Sequence, residues 1–176
     1  MSEKDYMTIM SDQPKAVAAA PRRVSEPLYT SEQRQRRDAT VWTLVQGILA
    51  PLQFVVFLVS LGLVLRYMAT GVGYDAATWS IVIKTAILLT IMVTGAIWEK
   101  VVFGQYLFAS SFFWEDVFSF AVIALHLLYI FGLWFELFSP DQLMRIALAA
   151  YAAYVINAGQ FLWKLRQARL QAEVPV

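Results

Sequence analysis

The chain has 176 residues, of which 59% are hydrophobic and only 15% charged, with a formal net charge of +1 and a mean hydropathy of +0.56. Soluble domains average about 45–50% apolar and about 25% charged residues, so this composition predicts a single integral membrane domain. It excludes several classes of function: no basic stripe suits nucleic acid, zero cysteines remove disulfides, iron–sulfur clusters and thiol catalysis, and one histidine, His126, cannot build a His-rich metal site.

In chain order, residues 1–38 are polar and low in complexity, with an Ala-rich run at 16–20 and no apolar core behind a basic start. They are expected to be a disordered cytosolic tail rather than a signal peptide; Ser31 to Asp38 could instead extend the first span into the membrane interface. Residues 39–170 are expected to form an all-α membrane domain. Four apolar runs follow, giving transmembrane helices at about 41–67, 78–98, 115–138 and 142–165. Each approaches the roughly 20 residues that cross a hydrocarbon core of about 30 Å, and helices are the form that satisfies the backbone in lipid.

Arg22, Arg23, Arg34, Arg36 and Arg37 precede the first span, and Lys164, Arg166 and Arg169 follow the fourth. The other side has Arg66, Arg145 and, within the second span, Lys84, which is expected to snorkel outward. The bias places both termini in the cytoplasm, together with the connection between spans two and three. That connection, 98–116, reads WEKVVFGQYLFASSFFWED: two Trp-Glu pairs, each followed by a further charge, with aromatics between. Carboxylates among aromatics suit a boundary between lipid and water. Trp followed by a charge is also ordinary interface anchoring, but two pairs in similar contexts (IWEKVVF and FWEDVFSF) point to a pocket rim. Glu99, Glu115 and Asp116 supply carboxylates whose surroundings could separate their acid and base roles.

At about 100° per residue, Glu115, Ser119, Val122, His126 and Tyr129 share one face of the third span. Ionisable groups in a membrane face a bundle interior or cavity, so the stripe predicts a pocket wall reaching roughly 15 Å inward. Against this, Glu115 can be a rim charge favoured by the helix dipole, and His126 a neutral packing residue. In the first span, Gly47 four residues before Pro51 predicts a kink. Gln53 nearby faces either a polar pocket or a neighbouring helix through hydrogen bonds, as do Thr90, Thr94, Asn157 and Gln160. Glu136 and Asp141 belong to the outer edge. A pocket of this kind suits a large flat ligand such as a quinone, haem or chlorin; the residues do not choose among them.

The strings DATVWTLVQGILAPLQFVVFLVSLGLVLRYMATG, ATWSIVIKT and GAIWEKVVFGQYLFASSFFWEDVFSF resemble the 3-vinyl (bacterio)chlorophyllide hydratases of bacteriochlorophyll biosynthesis, over about Leu28 to Lys164. The resemblance implies water addition to the C3-vinyl group of a chlorophyllide or bacteriochlorophyllide, giving a 3-(1-hydroxyethyl) pigment. It implies no cofactor, since the substrate carries its own magnesium, and a home in a bacterial cytoplasmic or intracytoplasmic photosynthetic membrane. The partners are then the pigment, the lipid bilayer and other pigment-biosynthesis enzymes, with no nucleic acid.

Fitted to that chemistry, Glu115 is expected as the acid and Glu99 or Asp116 as the base, while His126 orients water or ligates the pigment magnesium. Trp98, Tyr106, Phe112, Phe113 and Trp114 are expected to stack on the macrocycle. Lys100 or the basic N-terminal segment would pair with the propionate, and Gln53 would line the pocket. Two other readings compete: a non-catalytic chlorin carrier or assembly protein, and a small transporter, which would want paired ionisable groups at mid-membrane.

Overall fold

The structure is a computed structural model that describes residues 28–172. Among them are five helices and no strand: α1 (Ser31–Ala39), α2 (Val41–Thr70), α3 (Tyr74–Phe103), α4 (Phe113–Trp134) and α5 (Pro140–Ala172). The disorder expected for residues 1–27 lies outside the described residues. Ser31 to Asp38, expected in the tail or as an extension of the first span, instead form a separate helix. Thr30 and Gln33 make a capping box at its start, which satisfies two backbone N–H groups reciprocally. Thr40 ends it in an extended conformation (φ −85°, ψ 138°) and then accepts the Trp42 N–H to start α2. A residue that closes one helix and opens the next prevents their fusion.

Helices α2 to α5 are the four candidate membrane spans, with 22 to 31 residues and window hydropathies of 1.3 to 2.5. They overrun the expected spans, except that α4 stops at Trp134 rather than 138, where the chain turns through Glu136 at φ 51°. Gly71 (φ 69°) ends α2 and Gly104 (φ 88°) ends α3, both in the left-handed conformation that glycine adopts without steric cost. α2 runs as one helix through Pro51.

The closest packing lies within two antiparallel hairpins, α2–α3 and α4–α5. Lipid-side positions such as Leu44, Ile48, Val55, Val59 and Ile83 are apolar and exposed. The polar residues turn inward: Gln53, Ser60, Lys84, Thr85, Glu99, Glu115, Asp116, His126 and Asn157 are all buried. They belong to all four spanning helices and line the seam between the hairpins, amid a core including Phe57, Ile81, Val122, Tyr129, Met144 and Tyr151. This fits a bundle in lipid, where polar groups find partners only inside.

Lys84 corrects the expectation that it snorkels outward. It shares the inward face of α3 with Ile81, Thr85 and Leu88 and is 0% exposed. Its Nζ lies 2.9 Å from His126 Nε2 and 4.4 Å from the centre of the Tyr154 ring. A helix face fixes the direction in which even a long side chain leaves the backbone, and here an imidazole and aromatic rings receive the amine.

Candidate active site

The last turns of α3, the connection 104–112 and the first turn of α4 bring the acidic residues together. Glu99 projects from α3 and Asp116 from α4, and both carboxyl groups are buried at the connection between these helices. Between them, Phe108 adopts φ 59°, a left-handed conformation costly for a side chain with a Cβ. The turn that results aims two backbone donors at the pair. Phe108 N–H donates to Asp116 Oδ2 (2.7 Å), and Ala109 N–H donates to Glu99 Oε2 (3.3 Å). Successive donors on one turn bring the two carboxyl groups side by side, an arrangement in which two carboxyls can share one proton.

Glu115 has a different partner. Its Oε2 accepts from Lys164 Nζ at 2.6 Å, across the α4–α5 interface. One turn deeper, Ser119 Oγ donates to the Glu115 carbonyl (2.8 Å) and accepts from Asn157 Nδ2 (2.8 Å). The expected stripe does face inward, since Glu115, Val122, His126 and Tyr129 are buried.

The aromatics divide into two groups. Trp98 and Phe112 pack inward with Tyr29, Phe103 and Phe161, at centroid distances of 5.7 to 6.3 Å. The Trp98 indole N–H donates to Thr43 Oγ1 (2.9 Å), whose own hydroxyl donates to the Arg37 carbonyl (2.6 Å), tying α3 to the α1–α2 junction. Arg37 lies over the Tyr29 ring at 4.8 Å; burial pushes the Tyr29 phenol up, with Arg37 opposing. Tyr106, Phe113 and Trp114 are instead exposed. Phe108 and Phe120 join them, with Phe108 stacked on Phe120 (5.6 Å, 15°) and tilted against Phe113. Lys100 Nζ donates to the Gly104 carbonyl (2.7 Å) and lies 5.4 Å from the Tyr106 centroid.

Of the sequence candidates, Glu99, Glu115, Asp116, Trp98, Lys100, Tyr106, Phe112, Phe113 and Trp114 thus gather at one end of the bundle. His126 and Gln53 do not. His126 Nδ1 donates to the Val122 carbonyl (2.8 Å), leaving Nε2 to accept from Lys84, so both ring nitrogens are engaged. Gln53 is buried on α2 with both amide atoms unpartnered. Gln46 Nε2 donates to Thr94 Oγ1 (2.8 Å), whereas exposed Thr90 bonds only its own helix, at the Ala86 carbonyl. Sequence reasoning missed Lys164 as the partner of Glu115 and the two backbone donors. The spacing of Ile81, Lys84, Thr85 and Leu88 did carry a signal for Lys84; nothing in the residue types announced a left-handed Phe108.

The family model for 2-vinyl bacteriochlorophyllide hydratase matches residues 29–167. The chain belongs to this family. It is 72% identical over 162 residues to the 2-vinyl bacteriochlorophyllide hydratase of Cereibacter sphaeroides, covering 92% of this chain and 98% of that relative. It is 73% identical over 146 residues to the protein of the same name from Rhodobacter capsulatus, covering 82% and 84% respectively. No solved structure matches the chain. The matched region takes in Tyr29, the whole acidic and aromatic end, and Lys164.

Proposed function

We propose that this protein adds water across the C3-vinyl group of bacteriochlorophyllide or chlorophyllide, and that the Glu99–Asp116 pair moves the proton. The observation that carries the assignment is that two buried carboxyl groups accept from successive backbone N–H groups, Asp116 from Phe108 and Glu99 from Ala109. In the first step the acid member protonates the terminal vinyl carbon, making a methyl group. The positive charge left on the inner carbon spreads into the macrocycle, and the newly dianionic pair offers it electrostatic stabilisation. Water attacks that carbon, and its proton returns to the pair, restoring the starting state. One water is consumed, the product is the 1-hydroxyethyl pigment, and no redox partner is needed.

In this assignment Glu115, held by Lys164, keeps a negative charge beside the pair and is not the donor. His126, bonded at both nitrogens, stays outside the reacting set, and the pigment keeps its magnesium without a protein ligand from that residue. Tyr106, Phe108, Phe113, Trp114 and Phe120 offer the exposed aromatic face for the macrocycle, each stacked ring contributing about 0.5–1.5 kcal/mol beyond burial. Lys100 is free to swing from Gly104 to the propionate. The bilayer would deliver so apolar a substrate, and the site would open to the cytoplasmic side of a bacterial photosynthetic membrane.

The test is direct. Purified protein with 3-vinyl bacteriochlorophyllide and no added cofactor should give a pigment heavier by one water with a blue-shifted long-wavelength band. Quantitative recovery of unchanged substrate would make the protein a carrier instead.

A further inference from the structure

Three polar side chains in the seam between the hairpins carry buried atoms with no hydrogen-bond partner: Gln53 Nε2 and Oε1, Asn157 Oδ1 and Gln160 Oε1. Gln53 is 2% exposed and Asn157 8%, so neither is relieved by solvent at the surface. Each such group left unpaired in the interior forfeits its hydration with nothing in return, a cost that a marginally stable fold does not tolerate several times over.

Their positions are related. Phe57 meets Tyr154 (5.0 Å) and Tyr151 (5.4 Å) across α2 and α5, and Ser60 meets Tyr151 (2.5 Å). In this antiparallel register, Gln53, one turn before Phe57, falls level with Asn157, one turn after Tyr154. Gln160 and Lys164 continue along the same face of α5. The order along the seam is therefore Lys164–Glu115, Gln160, Asn157–Ser119, Gln53, and then the Lys84–His126 pair.

We infer that Gln53, Asn157 and Gln160 form an internal water site, a short file between the Glu115–Lys164 rim and the Lys84–His126 pair. The chemistry matches water better than any other small ligand. The orphaned atoms comprise one donor nitrogen and three acceptor oxygens, and a water both donates and accepts. A buried water needs two to four polar partners and free volume of only about one probe sphere. No charged group lies unpaired among these atoms, so nothing there calls for an ion. The Lys84–His126 pair closes the deep end, and the core around Met144 beyond it is apolar. Water is also the co-substrate in vinyl hydration, so the file would hold a supply beside the carboxyl pair. That use rests on the proposed function; the occupancy does not.

X-ray radiolysis of the pigment-free protein in nanodiscs, followed by mass spectrometry, tests the occupancy. Radicals made from a bound water oxidise the side chains next to it. After normalisation to the intrinsic hydroxyl-radical reactivity of each residue type, which applies to every comparison below, Phe57 and Tyr154, one turn from Gln53 and Asn157, should be labelled several-fold faster than Met144, which is buried in the apolar part of the bundle. In a Gln53→Leu/Asn157→Leu variant that labelling should fall to the Met144 level. Equal labelling of Phe57, Tyr154 and Met144 in the unmodified protein would mean a dry seam and overturn the inference, whether or not the variant folds. Labelling that persists unchanged in the folded variant would also overturn it, by placing the water elsewhere. A dry seam in an active hydratase removes the file alone, whereas a wet seam in an inactive protein removes the hydratase reading alone.

Discussion

Glu99 and Asp116 sit at opposite ends of one connection, and what makes them a unit is the turn at Phe108 and Ala109 that donates to both. Replacing either carboxyl, as Glu99→Gln or Asp116→Asn, should lower the hydration rate by about 10²–10⁴-fold, the usual range for general acid–base groups. Glu115→Gln should cost far less; a Glu115→Gln rate as low as that of Glu99→Gln would return the acid role to Glu115. The pH dependence follows from the required form. The pair acts with one proton aboard, so the rate should be lost as pH rises and that proton leaves; Asp116→Asn removes the neighbouring negative charge but keeps the Glu99 carboxyl, and should move that limb of the residual activity to lower pH. At Glu115 the expected effect is on stability. Lys164→Met leaves a nearly buried carboxylate without its partner and should destabilise by about 1–3 kcal/mol, the lower part of that range being favoured because Lys164 is partly exposed. Glu115→Gln/Lys164→Met should recover most of the loss in a thermal melt, since removing both charges removes the desolvation problem.

At the scale of the elements, the α4–α5 hairpin depends on a close approach. A Cβ at Gly132 would run into the Phe138 ring and meet Leu143, so the glycine is what lets the turn 135–139 fold back onto α4. Gly132→Ala should destabilise by about 1–3 kcal/mol, as overpacking does, while Gly62→Ala, where nothing lies within reach of the new methyl, should be neutral or mildly stabilising. Denaturation in detergent compares the two. The helices themselves were largely legible in the sequence, because lipid demands long apolar runs and hydrogen-bonded backbone. Their ends were less so. Span ends shifted by up to about two turns, since capping by Thr40, Gly71 and Gly104 and the turn at Glu136 decide them, not hydropathy. The helix α1 and its break from α2 at Thr40 differ from both expectations for this stretch, a disordered tail or a continuation of the first span.

For the whole molecule, four spans with basic residues at both chain ends predict both termini on the cytoplasmic side. The absence of native cysteines makes the check clean. A single Val72→Cys should react with a membrane-impermeant maleimide from the periplasmic side of intact cells, and Gln105→Cys should react only after the membrane is opened. The opposite pattern would invert the orientation and put the acidic end in the periplasm.

The candidate site divides along the same line. Residue types and spacing were enough to mark 98–116 and the inward stripe of α4, because carboxylates and aromatics in a membrane chain have few places to go. Lys84 shows the limit: its charge suggested the surface, and its helical face put it in the interior. Composition and periodicity determined the class of molecule, its four spans and the end where acidic and aromatic residues meet, since these follow from the solvent each residue needs. Only the tertiary structure decided the partners: Lys164 with Glu115, Lys84 with His126, and Glu99 with Asp116 under the Phe108 and Ala109 amides. Pairing depends on which helix faces cross and at what register, and no single helix carries that information.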